Sequence, residues 1–148
     1  MKIGHAHIKV RDLDAAERFY AAALGLETRE RIGRYVFMSG TTMHHEIALQ
    51  EVGSTARIPG RFDVGLFHVA FEVPDKQALA ACVERLTGLG IRPAIVDHRI
   101  SWALYFSDPD GNGLEIYCDT RGDSGVEEWE AVDEPLTIER LLAARDES

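Results

Sequence analysis

The chain is poor in the features that define several protein classes. Its 148 residues hold two cysteines, Cys82 and Cys118, with neither a CxxC spacing nor the density of a disulfide framework. Such usage suits a reducing compartment, with both thiols read as buried small side chains. No apolar run approaches the roughly 18 residues of a membrane span. Met1-Lys2-Ile3 leads directly toward a strand pattern without the apolar core of a signal peptide. Positive charge is scarce too: 16 Lys and Arg stand against 25 Asp and Glu, a net charge of −9. A nucleic-acid or anionic-membrane surface needs a concentrated basic patch, and this net charge argues against one. What it has is 45% hydrophobic residues, enough for one domain of ordinary size without staples. The expectation is a cytoplasmic protein whose partners are small molecules.

Hydrophobic periodicity places the elements. Residues 3–10, IGHAHIKV, alternate as a strand does. Asp12 then reads as an N-cap, and Leu13, Ala16, Phe19, Tyr20, Ala23 and Leu24 recur at helical spacing before Gly25, a C-cap residue. Residues 26–32, 35–39 and 45–52 read as three short strands. The linker 53–65 has glycines, a proline and no period. The pattern then restarts with a strand at 66–73, a helix opened by Pro74-Asp75 and ended at Gly88 and Gly90, and strands near 92–97, 101–106 and 114–119.

The two halves superimpose as sequence. Val10-Arg11-Asp12 answers Val73-Pro74-Asp75, and Leu24-Gly25-Leu26 answers Leu89-Gly90-Ile91. The match sets His5 against His68, each seven residues before its aspartate, and sets Glu46-Ile47 against Glu115-Ile116. The reading is an α+β domain over residues 1–122, made of βαβββ modules at 3–52 and 66–119. An acidic tail follows at 123–148, with a short helix after Pro135 that packs on its own domain or on a partner subunit. Trp102 and Trp129 are read as packing residues.

The chemistry gathers around SDPDGNGLEIY, residues 107–117. Its Asp, Pro and Gly residues make a tight reversal, so the strand carrying Tyr105 folds back beside the strand carrying Glu115. Two histidines and a carboxylate, His5, His68 and Glu115, form the facial triad that holds a divalent metal and leaves positions open. The donor types admit Fe, Mn, Ni, Co or Zn. His7 shares a strand face with His5, but Ala70 answers it in the second half, so His7 is read as a hydrogen-bonded residue of the sheet.

GHAHIKVRDLDAAERFY, LFHVAFEV and SDPDGNGLEIY closely resemble the vicinal oxygen chelate superfamily, which includes glyoxalase I, bleomycin-resistance proteins and extradiol dioxygenases. The resemblance covers residues 3–119. It implies paired modules curled into an open, cup-shaped mixed sheet around one metal, held by His5, His68 and Glu115. VDHRISWALYFSDPDGNGLEIY is most similar to the catechol 2,3-dioxygenase branch. That branch implies a small aromatic diol and O2 as substrates and Fe(II) as the metal, with Mn(II), Ni(II) or Zn(II) as alternatives. It also implies that Tyr105, ten positions before Glu115, contacts a substrate oxygen, that His98 steadies the substrate and that His45 is the acid–base.

Two rival readings share the fold. Glyoxalase I-type lyases use a fourth protein ligand where the repeat places Glu46, and bleomycin-resistance proteins sequester a drug without a metal. The tail helix and open sheet edges make a homodimer the expected assembly.

Overall fold

The computed structural model describes residues 3–60 and 62–145. Arg61 of the expected linker, the Met1-Lys2 start and the last three residues of the expected tail lie outside the described residues. The chain divides into two compact units, one formed by Met1–Phe67 with Ser107–Asn112, the other by His68–Phe106 with Gly113–Ser148.

The first unit contains β1 (Ala6–Val10), α1 (Leu13–Leu24), β2 (Glu27–Ile32), β3 (Tyr35–Ser39) and β4 (Ile47–Glu51). Both ends of α1 are set by local chemistry. Asp12 accepts the Ala15 N–H at 2.9 Å, and Gly25 takes the left-handed conformation at φ 71°. The strand order is β1-β4-β3-β2, with β1 parallel to β4 and the other pairs antiparallel. Val36, Met38, Ile47 and Leu49 share one buried face, and Leu13, Ala16 and Tyr20 are buried on the helix side. Each large apolar side chain so buried contributes about 1.5–3 kcal/mol. β2 is exposed throughout, and its Arg31 pairs with Asp14 and Glu17 of α1, so a charged strand forms the sheet edge.

The second unit repeats this order with β5 (Val69–Glu72), α2 (Lys76–Gly88), β6 (Ala94–Asp97), β7 (Ser101–Ser107) and β8 (Gly113–Asp119). Asp75 caps α2 as Asp12 caps α1, accepting the Ala78 N–H at 2.7 Å. Its sheet order, β5-β8-β7-β6, matches the first unit strand for strand. The protein is therefore an α+β chain of two βαβββ modules, hydrogen-bonded as two mixed sheets. The tail then adds α3 (Arg121–Ser124), β9 (Glu134–Pro135) and α4 (Ile138–Ala143). β9 extends the second sheet by pairing with β6, and Arg145 beyond α4 bonds Glu84 of α2 at 2.8 Å. The tail thus packs on its own unit. No helix among the described residues is long and apolar enough to cross a membrane.

The turn at 107–112 is built on Asp108, which is buried. Its carboxylate accepts from the Asp110 N–H at 2.9 Å, the Asn112 N–H and side-chain amide each at 2.8 Å, and the Tyr20 hydroxyl at 3.2 Å. Burial and this carboxylate together push the Tyr20 phenol well above its ordinary pKa. Gly111 supplies the positive φ of 83° that closes the turn. Asp108→Ala removes these acceptors at once and strands a buried hydroxyl, an expected loss of about 3 kcal/mol in urea denaturation. A loss below about 0.5 kcal/mol would show that the turn does not depend on it.

Candidate functional site

The His5 and His68 backbones occupy equivalent places, one residue before β1 and one before β5. Glu115 lies in β8, at a position paired with Ala70 in the parallel β5–β8 ladder. Its side chain is buried and polar, which demands partners. They are His68, whose Nε2 lies 2.8 Å from Oε2, and Tyr105, whose hydroxyl donates to Oε1 at 3.0 Å. Tyr105 sits in β7 beside Glu115, as the tight reversal predicts. Its oxygen is also 2.8 Å from His98 Nε2, and His98 Nδ1 is 2.5 Å from Asp133 Oδ1. His68, Glu115, Tyr105, His98 and Asp133 thus form one continuous polar chain inside the second unit. Burial first, then the Glu115 charge, raises the Tyr105 phenol far above its ordinary pKa, so it is a hydrogen-bond donor throughout the neutral range.

A separate cluster lies in the first unit. His5 and His45 have ring centroids 4.5 Å apart, and His45 packs edge-on to Phe37 at 5.0 Å. His44 Nδ1 lies 2.9 Å from His45 Nδ1, and its Nε2 is 3.3 Å from Glu30. His45 is in the turn before β4 rather than at the strand's start. Desolvation, then the neighbouring His5, His44 and His7, lowers the His45 pKa. His7 is exposed and sits edge-on to Tyr35 at 6.0 Å.

Glu46 requires a correction. Taking the modules from their capping aspartates, Ala6 corresponds to Val69; Ala6 pairs with Ile47 and Val69 pairs with Leu114. The counterpart of Glu115 is therefore Ala48, and that of Glu46 is Gly113. The sequence match Glu46-Ile47 with Glu115-Ile116 is displaced by two residues. The Glu46 carboxylate is instead occupied by its own turn, accepting from the Gly40 N–H at 2.9 Å, Thr41 Oγ1 at 3.0 Å and Ser39 Oγ at 3.2 Å.

Donor chemistry and spacing can be tested against a metal. Two ligands about 2.1 Å from one ion and at right angles to each other stand about 3 Å apart, and His68 Nε2 and Glu115 Oε2 are 2.8 Å apart. The pair fits. His5 belongs to the other unit, and among the described residues no group of three or more His, Cys, Asp or Glu is arranged to hold a metal ion.

Asp133 was not legible as a site residue. Five acids lie between 127 and 134, and nothing local distinguishes the one that reaches a histidine 35 positions earlier.

Residues 2–116 match the model of the Glyoxalase/Bleomycin resistance protein/Dioxygenase superfamily. The chain belongs to this superfamily. Among curated members, catechol-2,3-dioxygenase of Bacillus subtilis (strain 168) is 35% identical over 79% of this chain and 41% of its own length. Biphenyl-2,3-diol 1,2-dioxygenase 3 of Rhodococcus globerulus is 30% identical over 80% of this chain and 63% of its own. The chain thus spans less than two thirds of either relative. Among solved superfamily structures, lactoylglutathione lyase from Agrobacterium tumefaciens is 27% identical at a TM-score of 0.62, covering 79% of this chain and 92% of that one. A glyoxylase/bleomycin resistance protein/dioxygenase domain from Frankia sp. EAN1pec is 26% identical at a TM-score of 0.66, covering 80% and 98%.

Proposed function

We propose that this superfamily member is a metal-dependent extradiol dioxygenase that opens a catechol-type ring with O2. The observation that carries the reading is the polar chain from His68 through Glu115 and Tyr105 to His98. It joins a metal-donor pair to a phenol and an imidazole suited to a diol. His5, His68 and Glu115 would hold the ion, Fe(II) first and Mn(II), Ni(II) or Zn(II) otherwise. When bound, such an ion supplies open positions at which diol and O2 meet and makes the diol hydroxyls more acidic.

The chain's own residues do the rest. Tyr105, kept protonated by burial and by Glu115, donates a hydrogen bond to a substrate oxygen. His98 steadies the diol from the other side of Tyr105. His45 takes a diol proton and returns one later. The ring carbon–carbon bond next to the diol breaks and both atoms of O2 enter the product, a semialdehyde acid, so no external reductant is consumed. Two dioxygenase relatives support this reaction class.

The likeness to a lactoylglutathione lyase favours the rival lyase reading. A lyase-type fourth carboxylate ligand is the element missing from it. Ala48 holds the counterpart position to Glu115, while Glu46 is bonded into its own turn. The two free, buried cysteines suit a cytoplasmic enzyme, and a homodimer remains part of the proposal.

The test is anaerobic loading with Fe(II), then exposure to simple and substituted catechols in air. Yellow product with equimolar O2 uptake is expected. Turnover of methylglyoxal with glutathione, and none of any catechol, would replace the reading with the lyase one.

A further inference from the structure

The family match ends at residue 116, yet the polar chain does not. Three consecutive residues, the last of β6 and the two that follow it, each hold a residue of the segment beyond position 116. Asp97 is 3.5 Å from Arg140, His98 is 2.5 Å from Asp133, and Arg99 is 2.5 Å from Glu130 and 3.6 Å from Glu134. β9 supplies backbone pairing beside them, Asp97 with Glu134 and Val96 with Pro135. Arg99 has a left-handed φ of 69°, and its N–H bonds the Asp97 carboxylate at 2.7 Å, so the turn is held in a shape that a non-glycine residue seldom adopts. The Trp129 ring stands edge-on to His98, centroids 6.2 Å apart.

We propose that Asp133, from the C-terminal tail, is a positioning residue that fixes the ring orientation and tautomer of His98 toward Tyr105. The inference rests on the dioxygenase reading of the same site. A carboxylate only accepts hydrogen bonds, so Asp133 keeps the single N–H of a neutral imidazole on Nδ1. Nε2 is then a lone pair aimed at the Tyr105 oxygen, 2.8 Å away. With no substrate bound, the one Tyr105 proton has two acceptors within reach, Glu115 Oε1 at 3.0 Å and His98 Nε2, from which a substrate oxygen would draw it. Without Asp133, an imidazole that carries its proton on Nε2 presents a donor to Tyr105 and the second acceptor is lost.

The tail partner of each ion pair is more than half exposed, which keeps the pairs weak, so the tail's contribution here is directional. Asp133 is itself 55% exposed, and its removal leaves no buried group stranded.

The experiment reads the tautomer first, in metal-free protein with 15N-labelled histidine. Long-range 15N–1H correlation is expected to find His98 with its proton on Nδ1 in the parent and shifted toward Nε2 in Asp133→Ala. Asp133→Asn, which keeps the volume, is measured in parallel and is expected to shift in the same direction. With Fe(II) and catechol, Asp133→Ala is expected to lower kcat by about 10- to 100-fold while KM changes less than about threefold. Asp133→Glu restores part of it, and Glu130→Ala, which cuts a neighbouring anchor, leaves tautomer and kcat unchanged. An unchanged tautomer in both Asp133 variants, or an equal kcat loss in Glu130→Ala, overturns the inference. A parent protein that cleaves no catechol sinks the dioxygenase reading instead, and the tautomer measurement still decides the role of Asp133.

Discussion

If the proposed site holds Fe(II), Glu115→Ala is expected to fold and to lose the added metal on desalting, with affinity down by more than about 100-fold, beyond what loss of an outer hydrogen-bond partner costs. The carboxylate is buried at 8% exposure, lies 2.8 Å from His68 and is, in the proposed site, the carboxylate ligand beside that histidine. Removing it takes away both a ligand atom and the negative charge that offsets a dication in a site of low dielectric. The fold survives because the β5–β8 ladder is made by backbone groups that the substitution does not touch. The local cost is the Tyr105 hydroxyl left without its carboxylate acceptor, about 1–3 kcal/mol. Glu115→Gln separates the two effects, since it keeps an acceptor for Tyr105 and loses only the charge. Iron content after anaerobic loading and gel filtration, with circular dichroism for folding, is the measurement. Full iron occupancy in Glu115→Ala would sink the ligand assignment.

Tyr105→Phe is expected to retain the metal and lower kcat by about 100-fold, within the range for loss of one positioned proton donor. The hydroxyl bonds a Glu115 oxygen and His98 but is not itself in the donor set. Its pKa is raised, by burial first and then by the Glu115 charge. The sign matters: a raised phenol pKa means that tyrosine ionisation contributes no limb to the pH–rate profile below about pH 10. Tyr105→Phe should therefore scale the whole profile down without shifting its acid or neutral limbs. A variant with parental kcat, or one whose neutral limb moves, would remove Tyr105 from the chemistry.

Much of the fold is written locally. Asp12 and Gly25 bracket α1 because a short carboxylate satisfies the first free N–H groups and only glycine takes the left-handed cap without strain. Asp75 does the same for α2. The hairpin that joins Tyr105 to Glu115 is equally local, since ten residues with Asp, Pro, Asp and Gly at their centre have one economical path.

Glu46 marks where that legibility ends. A two-residue displacement along a strand keeps every side chain on the same face, so the alternating pattern cannot separate Glu46 from Ala48. Ladder hydrogen bonds between β1 and β4 decide it, and those depend on how two distant strands meet. The tail shows the same limit. Its acidic run reads as a solvated segment, whereas in the structure β9 pairs with β6 and Asp133 meets His98.

The sequence by itself determined the two βαβββ modules, the aspartate N-caps of α1 and α2 and the pairing of Tyr105 with Glu115, because each depends on local pattern. Only the tertiary structure decided that Ala48 rather than Glu46 is the twin of Glu115 and that the tail completes the His98 environment. Both are questions of register and docking between segments separated by tens of residues, where the chain's local preferences are silent and the hydrogen-bond partners are chosen by packing.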